Sequence, residues 1–500
     1  MIRKLVSETI LYGGTTILVR LISYALTPLH VTVFTPDNFG IVSEFYAYAV
    51  LANVIYTYGM ETAFFRYASS KKENIDHYLS TALSTILTSS FLLSFLLFLF
   101  AEPLAIMLGY AESGAKYITW FAILFAIDAI VAIPFALLRL EHKAKRFAFI
   151  KIGNAILILL FNVFFLYFCR HIYEGRYLSE LKPLIAHIYK PEIGLGYAFL
   201  SNLFANALLI PMHIPIFLRL KFKLNWSDLK PLYLYGYPIM LSGLAFAINE
   251  TADRIFIKYL LPDDFYSGKP NQYAVGVYSA CYKLSIFITM AVQAFKYAAE
   301  PFFFSKANDK DAPSTYALIL DYFIVFCCVV IVFVVANLSI LSPIIIPNKD
   351  YWDGLPIVPI LLFANLFLGV YYNLSVWFKL TDRTIYGAYM SMIGASITVI
   401  SNLLLIPYFG FYGSAIATLL CYFGIALISL LWGKKYYPIP YKTNSAMLNL
   451  GVAAIFVTIM FFWITDETYK ELVYKNTLFF IFVTLVLVKY KAGIFSLLKK

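Results

Sequence analysis

Arg20 lies well inside a stretch that is otherwise apolar, with no acidic residue three or four positions away on either side. Lys283 stands in a second such stretch with the same lack of acidic neighbours, and a third carries Asn249-Glu250-Thr251-Ala252-Asp253-Arg254. An ionisable group in hydrocarbon costs about 2.5–3.5 kcal/mol on insertion scales, so such groups face a cavity, a partner or a pathway. Arg20, Arg254 and Lys283 together would line a basic cavity for an anionic substrate. An arginine grips phosphate through its planar fork of donors, and a lysine adds a point charge. Glu250 or Asp253 would then carry a coupling proton or cation. The plainer reading of the third stretch is an intrahelical pair, because Glu250 and Arg254 stand at i,i+4 with the acid first. Glu44, Glu61, Asp128 and Asp321 are further acids within or near apolar runs, and Glu44 and Asp321 read as solvated near the ends. Arg66 and Lys258 read as interfacial anchors whose long stems snorkel.

Apolar runs must position these charges. Of 500 residues, 61% are hydrophobic and 13% charged, with a mean hydropathy of +0.77. Soluble domains carry roughly 25% charged residues. Thr384 to Gly433 and Tyr78 to Ala101 contain no Asp, Glu, Lys or Arg. Since about 20 apolar residues cross a bilayer core, these runs are membrane spans. Fourteen segments are expected, near 9–34, 41–63, 79–101, 117–138, 150–169, 195–218, 232–260, 274–297, 315–337, 356–378, 384–406, 411–433, 445–465 and 475–490. Glu8 and Arg20, with no small-residue cleavage site, argue for a retained first span and against a cleaved signal.

With the N-terminus inside, 26 of the 39 lysines and arginines fall on the cytoplasmic side and 10 on the other, as the positive-inside rule requires. Both termini are then cytoplasmic. The basic run Arg139–Lys151, with Phe147 and Phe149 interleaved, reads as a segment attracted to anionic lipid. The net charge of +11 is therefore not a sign of nucleic-acid binding.

The two halves echo each other. Gly40-Ile41-Val42-Ser43 opens the second span and Gly276-Val277-Tyr278-Ser279 the eighth; Phe65-Arg66-Tyr67-Ala68 closes one and Phe295-Lys296-Tyr297-Ala298 the other. Asn162 and Gly196-Tyr197-Ala198 match Asn402 and Gly413-Ser414-Ala415. The expected fold is an all-α integral membrane protein with about 14 transmembrane helices, as two pseudo-symmetric six-helix lobes plus two C-terminal helices. Such parallel repeats are typical of transporters. The lobes would occupy 1–230, with an outer insertion at 170–192, and 231–435, leaving 436–500 for the last two helices and a cytoplasmic tail. The insertion reads as a small external loop or hairpin.

Six scattered histidines and the absence of HExxH, nucleophile-elbow or phosphate-loop patterns argue against catalysis. The five cysteines have no metal or disulfide spacing and read as buried apolar residues. No cofactor or metal is expected.

Ile17-Leu18-Val19-Arg20-Leu21-Ile22-Ser23-Tyr24 through Thr27-Pro28-Leu29, then Phe34-Thr35-Pro36-Asp37-Asn38-Phe39-Gly40-Ile41, resembles the start of bacterial polysaccharide and O-antigen flippases. These belong to the multidrug/oligosaccharidyl-lipid/polysaccharide exporter superfamily. Glu61-Thr62-Ala63-Phe64-Phe65-Arg66, Ala252-Asp253-Arg254-Ile255, Tyr278-Ser279-Ala280-Cys281-Tyr282-Lys283-Leu284 and Glu300-Pro301-Phe302-Phe303 match as well. The resemblance covers at least spans 1–12. It implies two lobes around a cavity and alternating access that moves polyprenyl-pyrophosphate-linked oligosaccharides across the bacterial inner membrane. It is also the ground for expecting spans 13 and 14 to form a groove for the lipid tail. Implied partners are the lipid-linked oligosaccharide, membrane lipids, and the glycosyltransferases and polymerase of the same pathway. The insertion at 170–192 departs from the compact family pattern. A peptidoglycan-precursor flippase and a multidrug exporter are the alternatives within the superfamily. A membrane glycosyltransferase or polysaccharide polymerase is the alternative from another class, but it would need a large outer loop or an acidic metal motif.

Overall fold

The computed structural model describes residues 2–70, 74–110, 113–307, 309–463 and 468–498; Lys71, Lys72, Lys499 and Lys500 of the basic segments lie outside them. Among the described residues, thirteen helices are long and apolar enough to cross a membrane. They are α1 (Leu11–Val33), α2 (Pro36–Ser70), α3 (Ile75–Leu99), α4 (Gly114–Leu140), α5 (Ala144–Tyr173), α7 (Trp226–Leu260), α8 (Asn271–Lys306), α9 (Ala312–Ala336), α10 (Lys349–Leu380), α11 (Ile385–Phe409), α12 (Phe411–Tyr436), α13 (Thr443–Phe462) and α14 (Tyr469–Lys491). The shorter apolar helix α6 (Gly196–Met212) fills the sixth place. The expected fourteen are therefore present, and no strand occurs among the described residues. Helices prevail because a chain in hydrocarbon must satisfy every backbone polar group internally. The rings of Phe91 and Phe98 on α3 point outward, as side chains facing lipid do.

The chain forms two compact units, Met1–Ile255 and Phe256–Lys500. Within the first unit, the first half of α7 packs on α2. The Arg66 guanidinium lies 4.2 Å from the centre of the Tyr235 ring, so Arg66 is held by an aromatic face. Beside it, α2 breaks at Tyr58 and Gly59, which have φ of +32° and +74°. Gly59 meets Gly236 backbone to backbone, and a Cβ on Gly236 would sit 2.9 Å from the Tyr58 carbonyl oxygen.

Other spans are interrupted too. The end of α5 widens into a π turn at Val163–Cys169, α8 tightens to 3-10 geometry at Lys283–Ser285, and α7 carries Pro231 and Pro238. Such breaks free backbone groups and are tolerated where neighbouring helices supply partners.

The repeat is visible in matched asparagines, one in each unit. Asn162 and Asn402 are fully buried, and each donates to the carbonyl four residues earlier, Ile158 at 2.8 Å and Thr398 at 2.7 Å. Asn162 Oδ1 lies 2.8 Å from His30 Nε2, and Asn402 Oδ1 accepts from Ser414 Oγ at 2.9 Å.

Two acids expected in solvent are buried. Glu44 is fully enclosed and accepts hydrogen bonds from the Tyr48 and Tyr110 hydroxyls. Asp321 lies with both carboxylate oxygens 3.1 Å from the Tyr490 hydroxyl, which also accepts from Asn449 at 2.8 Å. Each acid has a partner distant in sequence, Tyr110 for Glu44 and Tyr490 for Asp321, which local spacing does not reveal; Glu44 is also met by Tyr48 one helical turn away. Lys258, expected as an interfacial anchor, is buried with its ammonium 4.9 Å from the Tyr259 ring centre. All five cysteines are buried, as expected.

The insertion is more ordered than a simple hairpin. It holds short helices at Arg170–Tyr173 and Lys182–Ile188, and the Tyr189 ring stacks on Tyr197 of α6 at 4.9 Å.

Beyond the end of α4, Glu141 accepts from Arg219 at 2.6 Å and lies 2.7 Å from Lys143. Burial raises the Glu141 carboxyl, but the hydrogen bonds from Lys143 and Arg219 outweigh it and hold the group below the usual carboxylate range. Its stabilisation is therefore complete above the ordinary carboxylate pKa and is lost as pH falls through the lowered value. Melting temperatures of detergent-solubilised Glu141→Gln should fall below wild type at pH 7 and converge with it in acid; parallel curves at all pH would contradict this.

At Gly59, alanine should lower the melting temperature by the equivalent of about 1–3 kcal/mol, since the added methyl overpacks a backbone contact and meets a left-handed φ. Gly153→Ala, whose Cβ meets open space, is the control and should not lower it. Equal melting temperatures for the two variants would contradict the close approach.

Candidate functional site: a polar chamber in the first unit

A cavity of about 740 Å³ lies within the first unit, among spans otherwise made for hydrocarbon. Three helices each turn a set of residues to it at helical spacing, polar except for Phe135 and Phe147. On α2 these are Asn53, Thr57 and Glu61; on α4, Asp128, Phe135 and Arg139; on α5, Phe147, Lys151 and Asn154. Thr16 of α1 and Asn206 of α6 complete the polar wall. Residues four or seven apart share one side of a helix, so each span offers a stripe of polar groups while its other side remains apolar.

The acids and bases divide into two kinds. Arg139 is ion-paired to Glu61, which closes both charges on each other. Asp128 accepts from Asn206 Nδ2 at 2.7 Å, and Asn206 Oδ1 accepts from Asn154 Nδ2 at 2.9 Å. That chain of hydrogen bonds ties α4, α5 and α6 together. Lys151 differs: among the described residues it has no ion pair and no hydrogen bond, and its Nζ lies 4.1 Å from the centre of the Phe135 ring. The Asn53 amide likewise makes no side-chain hydrogen bond among the described residues. An unpaired ammonium in dry hydrocarbon would cost several kcal/mol. A water-accessible chamber removes that cost and presents the charge to a solute.

The residues singled out from sequence do not gather here. Arg20 is exposed on α1, one turn beyond Thr16, and does not line the chamber; no carboxylate pairs with it among the described residues. Arg254 is mostly buried in α7, where it bonds to the neighbouring Asp253 carboxylate at 2.6 Å and the Glu250 backbone carbonyl at 2.8 Å. The structure therefore brings Glu250, Asp253 and Arg254 together, with Asp253 as an ion-pair partner of the arginine. Lys283 belongs to the second unit, at the 3-10 break of α8. The run Arg139–Lys151, expected at a lipid surface, instead sends both of its terminal residues into the chamber. Arg146 within it donates to the Met212 carbonyl at 3.1 Å.

The second unit has an apolar groove of about 280 Å³ between α9, α10, α12 and α13, bordered by Phe367, Phe423 and Met447, with Asp321 and Lys442 as its charged residues. α13 forms one wall of this groove, and α14, expected to form a groove with it, contributes no lining residue. Among the described residues, no group of His, Cys, Asp and Glu is arranged to hold a metal ion.

Apolar helices of spanning length in both units, with a charged chamber inside the first, make this a multi-pass membrane protein. Comparison with known proteins agrees. The solved structure of the lipid II flippase MurJ in an inward closed conformation superposes with a TM-score of 0.69 at 16% identity, covering 97% of this chain and 100% of that one. An inward-facing multidrug resistance MATE family transporter of the MOP superfamily gives 0.59 at 14% identity, covering 86% and 94%. A MOP superfamily transporter from Pyrococcus furiosus gives 0.56 at 14%, covering 86% and 95%. At these identities the likeness shows the fold. No curated protein matches the chain. Residues 5–307 match the polysaccharide biosynthesis protein family, and the chain belongs to that family. The fold is that of the superposed flippase and transporter structures.

Because the native cysteines are buried, wild-type protein should resist hydrophilic methanethiosulfonate reagents in the folded state. Asn53→Cys should react readily although it lies well inside α2, and an unreactive Asn53→Cys in a folded, inserted protein would contradict a water-accessible chamber.

Proposed function

We propose that this protein is a flippase that moves a polyprenyl-pyrophosphate-linked oligosaccharide across the bacterial inner membrane by alternating access, for surface polysaccharides such as O-antigen of lipopolysaccharide. The observation that carries the reading is the polar chamber within a bundle of apolar spans. A hydrophilic head needs such a route, because each unsatisfied polar group in hydrocarbon costs several kcal/mol. The apolar groove of the second unit suits a lipid tail, which gains about 0.8 kcal/mol per buried methylene. Family membership supports the polysaccharide substrate. A transport role needs no bond made or broken, in keeping with the lack of catalytic motifs.

In this reading Arg20, Arg254 and Lys283 contact the pyrophosphate during transit, and Glu250 and Asp253 couple transport to an ion. The lobes are 1–230 and 231–435, with 436–500 as an added helix pair, and both termini are cytoplasmic. The lysine and arginine asymmetry supports that orientation. Glycosyltransferases and a polymerase of the same pathway are the expected partners. Transport of the peptidoglycan precursor is the second reading, drawn from the named substrate of the superposed flippase.

Proteoliposomes loaded with a fluorescent polyprenyl-pyrophosphate oligosaccharide test this directly. Wild type should expose the head group to an impermeant quencher faster than empty vesicles do. Arg20→Ala and Lys283→Ala should each slow this by about tenfold or more, the loss of one charge-assisted hydrogen bond, while still inserting. Unchanged rates in both variants would remove these two residues from the site.

A further inference from the structure

The insertion between α5 and α6 carries a helical face that stays exposed. Ser179–Leu181 and Lys182–Ile188 run on as one helical stretch, three residues of 3-10 geometry followed by seven of α. Leu181, Leu184 and Ile188 stand at i, i+3 and i+7 and so share one side of it. All three are exposed, as is Leu178 just before them. Ile185, on the flank of the same side, is buried. One edge of the apolar side therefore rests on the protein and the remainder is open.

Three hydrogen bonds set the depth at which this stretch lies. Arg170 Nη1 donates at 3.2 Å to the carbonyl of Val33, the last residue of α1. Lys116 Nζ, in the first turn of α4, donates at 3.4 Å to the Glu192 carbonyl. The Lys190 N–H donates at 2.6 Å to the hydroxyl of Tyr197, in the first turn of α6. The insertion is thus tied to span ends on three sides as it leaves the end of a fourth. α5 itself has 30 residues, about 45 Å at 1.5 Å each, and a bilayer with its headgroups is about 40–45 Å thick. Its end at Tyr173 reaches the headgroup layer, and the insertion starts there. The helical stretch is roughly 16 Å long, too short for a hydrocarbon core of about 30 Å.

The open apolar side continues a surface that faces lipid. Leu160, Val163 and Tyr167 are exposed along α5. The His171 ring lies 4.4 Å from that of Tyr167 and 5.8 Å from that of Tyr177, so a run of rings leads from the span to the residue beside Leu178. Glu174 is shared between Arg170 and Arg176, 2.9 Å from each. Lys182, its ammonium 5.4 Å from the Tyr173 ring centre, and Lys190 are exposed, and no carboxylate pairs with either among the described residues. With four basic and three acidic residues, 170–192 is close to neutral, so attraction to charged lipid is a minor force here.

We infer that the insertion at 170–192 is a membrane-surface anchor. Leu178, Leu181, Leu184 and Ile188 lie in the boundary between headgroups and acyl chains, as the apolar side of an interfacial helix does, and the stems of Lys182 and Lys190 carry their charges to the phosphate level. The anchor holds the ends of α5 and α6 at a fixed depth.

Nitroxide spin labels on single cysteines test this in the full-length protein, whose native cysteines are buried. The protein is reconstituted at a high lipid-to-protein ratio, once in phosphatidylethanolamine with phosphatidylglycerol and once in phosphatidylcholine alone. Oxygen concentrates in hydrocarbon and a polar nickel chelate stays in water. Labels at Leu184→Cys and Ile188→Cys should meet oxygen more often than chelate, as a label at Phe91→Cys on the outer side of α3 should. The preference should reverse at Ala186→Cys, roughly 200° round the helix from Leu184. Chelate preference at Leu184→Cys and Ile188→Cys would overturn the anchor by placing the face in water. Poor access of both reagents would overturn it by placing the face against protein, a second copy included. Oxygen preference that appears only with the anionic lipid would overturn its apolar basis. The readout involves no transport and stands apart from the flippase reading.

Discussion

A charge in hydrocarbon must find water, a partner or a counter-charge, and the first unit of this protein is organised around that requirement. Lys151 and Asp128 lie within spans whose outer sides are apolar. Their presence obliges α2, α4 and α5 to turn polar stripes toward one another and enclose a chamber. Asn206 donates to the Asp128 carboxylate from α6 and accepts in turn from Asn154 of α5, and the Glu61–Arg139 pair removes two further charges from play. The resulting space is polar but close to neutral, so a hydrophilic solute can enter without meeting a field strong enough to trap it.

The same demand for internal satisfaction governs the backbone. Glycine meets glycine where α2 breaks against α7, and α8 tightens to 3-10 geometry where Lys283 leaves the regular helix. Asn162 and Asn402, matched by the internal repeat, each bond backward to a carbonyl and across to another polar side chain. Half-buried tyrosines do this for acids, as Tyr110 does for Glu44 and Tyr490 for Asp321. These contacts locate interruptions and charges in protein, where partners exist, and keep them from lipid.

Span number and repeat were readable from the chain because hydrocarbon imposes length and composition on each segment independently. The uncharged run from Thr384 to Gly433 became α11 and α12, broken at Gly410. The site was much less readable. Arg20, Arg254 and Lys283 stood out because each interrupts an apolar run, yet the chamber is marked by residues that look ordinary one span at a time. Asp128 lay alone in α4, and Lys151 closed a basic run whose composition pointed to a lipid surface. The missing signal was coincidence of faces: Asn53 with Thr57, Asp128 with Phe135 and Arg139, Phe147 with Lys151 and Asn154, each at helical spacing. Recognising those faces as mutual neighbours requires the packing of α2, α4, α5 and α6, which no single span encodes.

The central claim is that water reaches the middle of the first unit. Hydroxyl-radical footprinting of the protein in lipid bilayers reads this residue by residue, because radicals formed from bound water oxidise the side chains beside it. Val50 and Phe147, which line the chamber, should be modified, while Phe91 and Phe98, exposed on the outer face of α3, should be spared by lipid. Val50 and Phe147 as unreactive as Phe91 and Phe98 would contradict the account, because the chamber would then be dry and closed to a hydrophilic head.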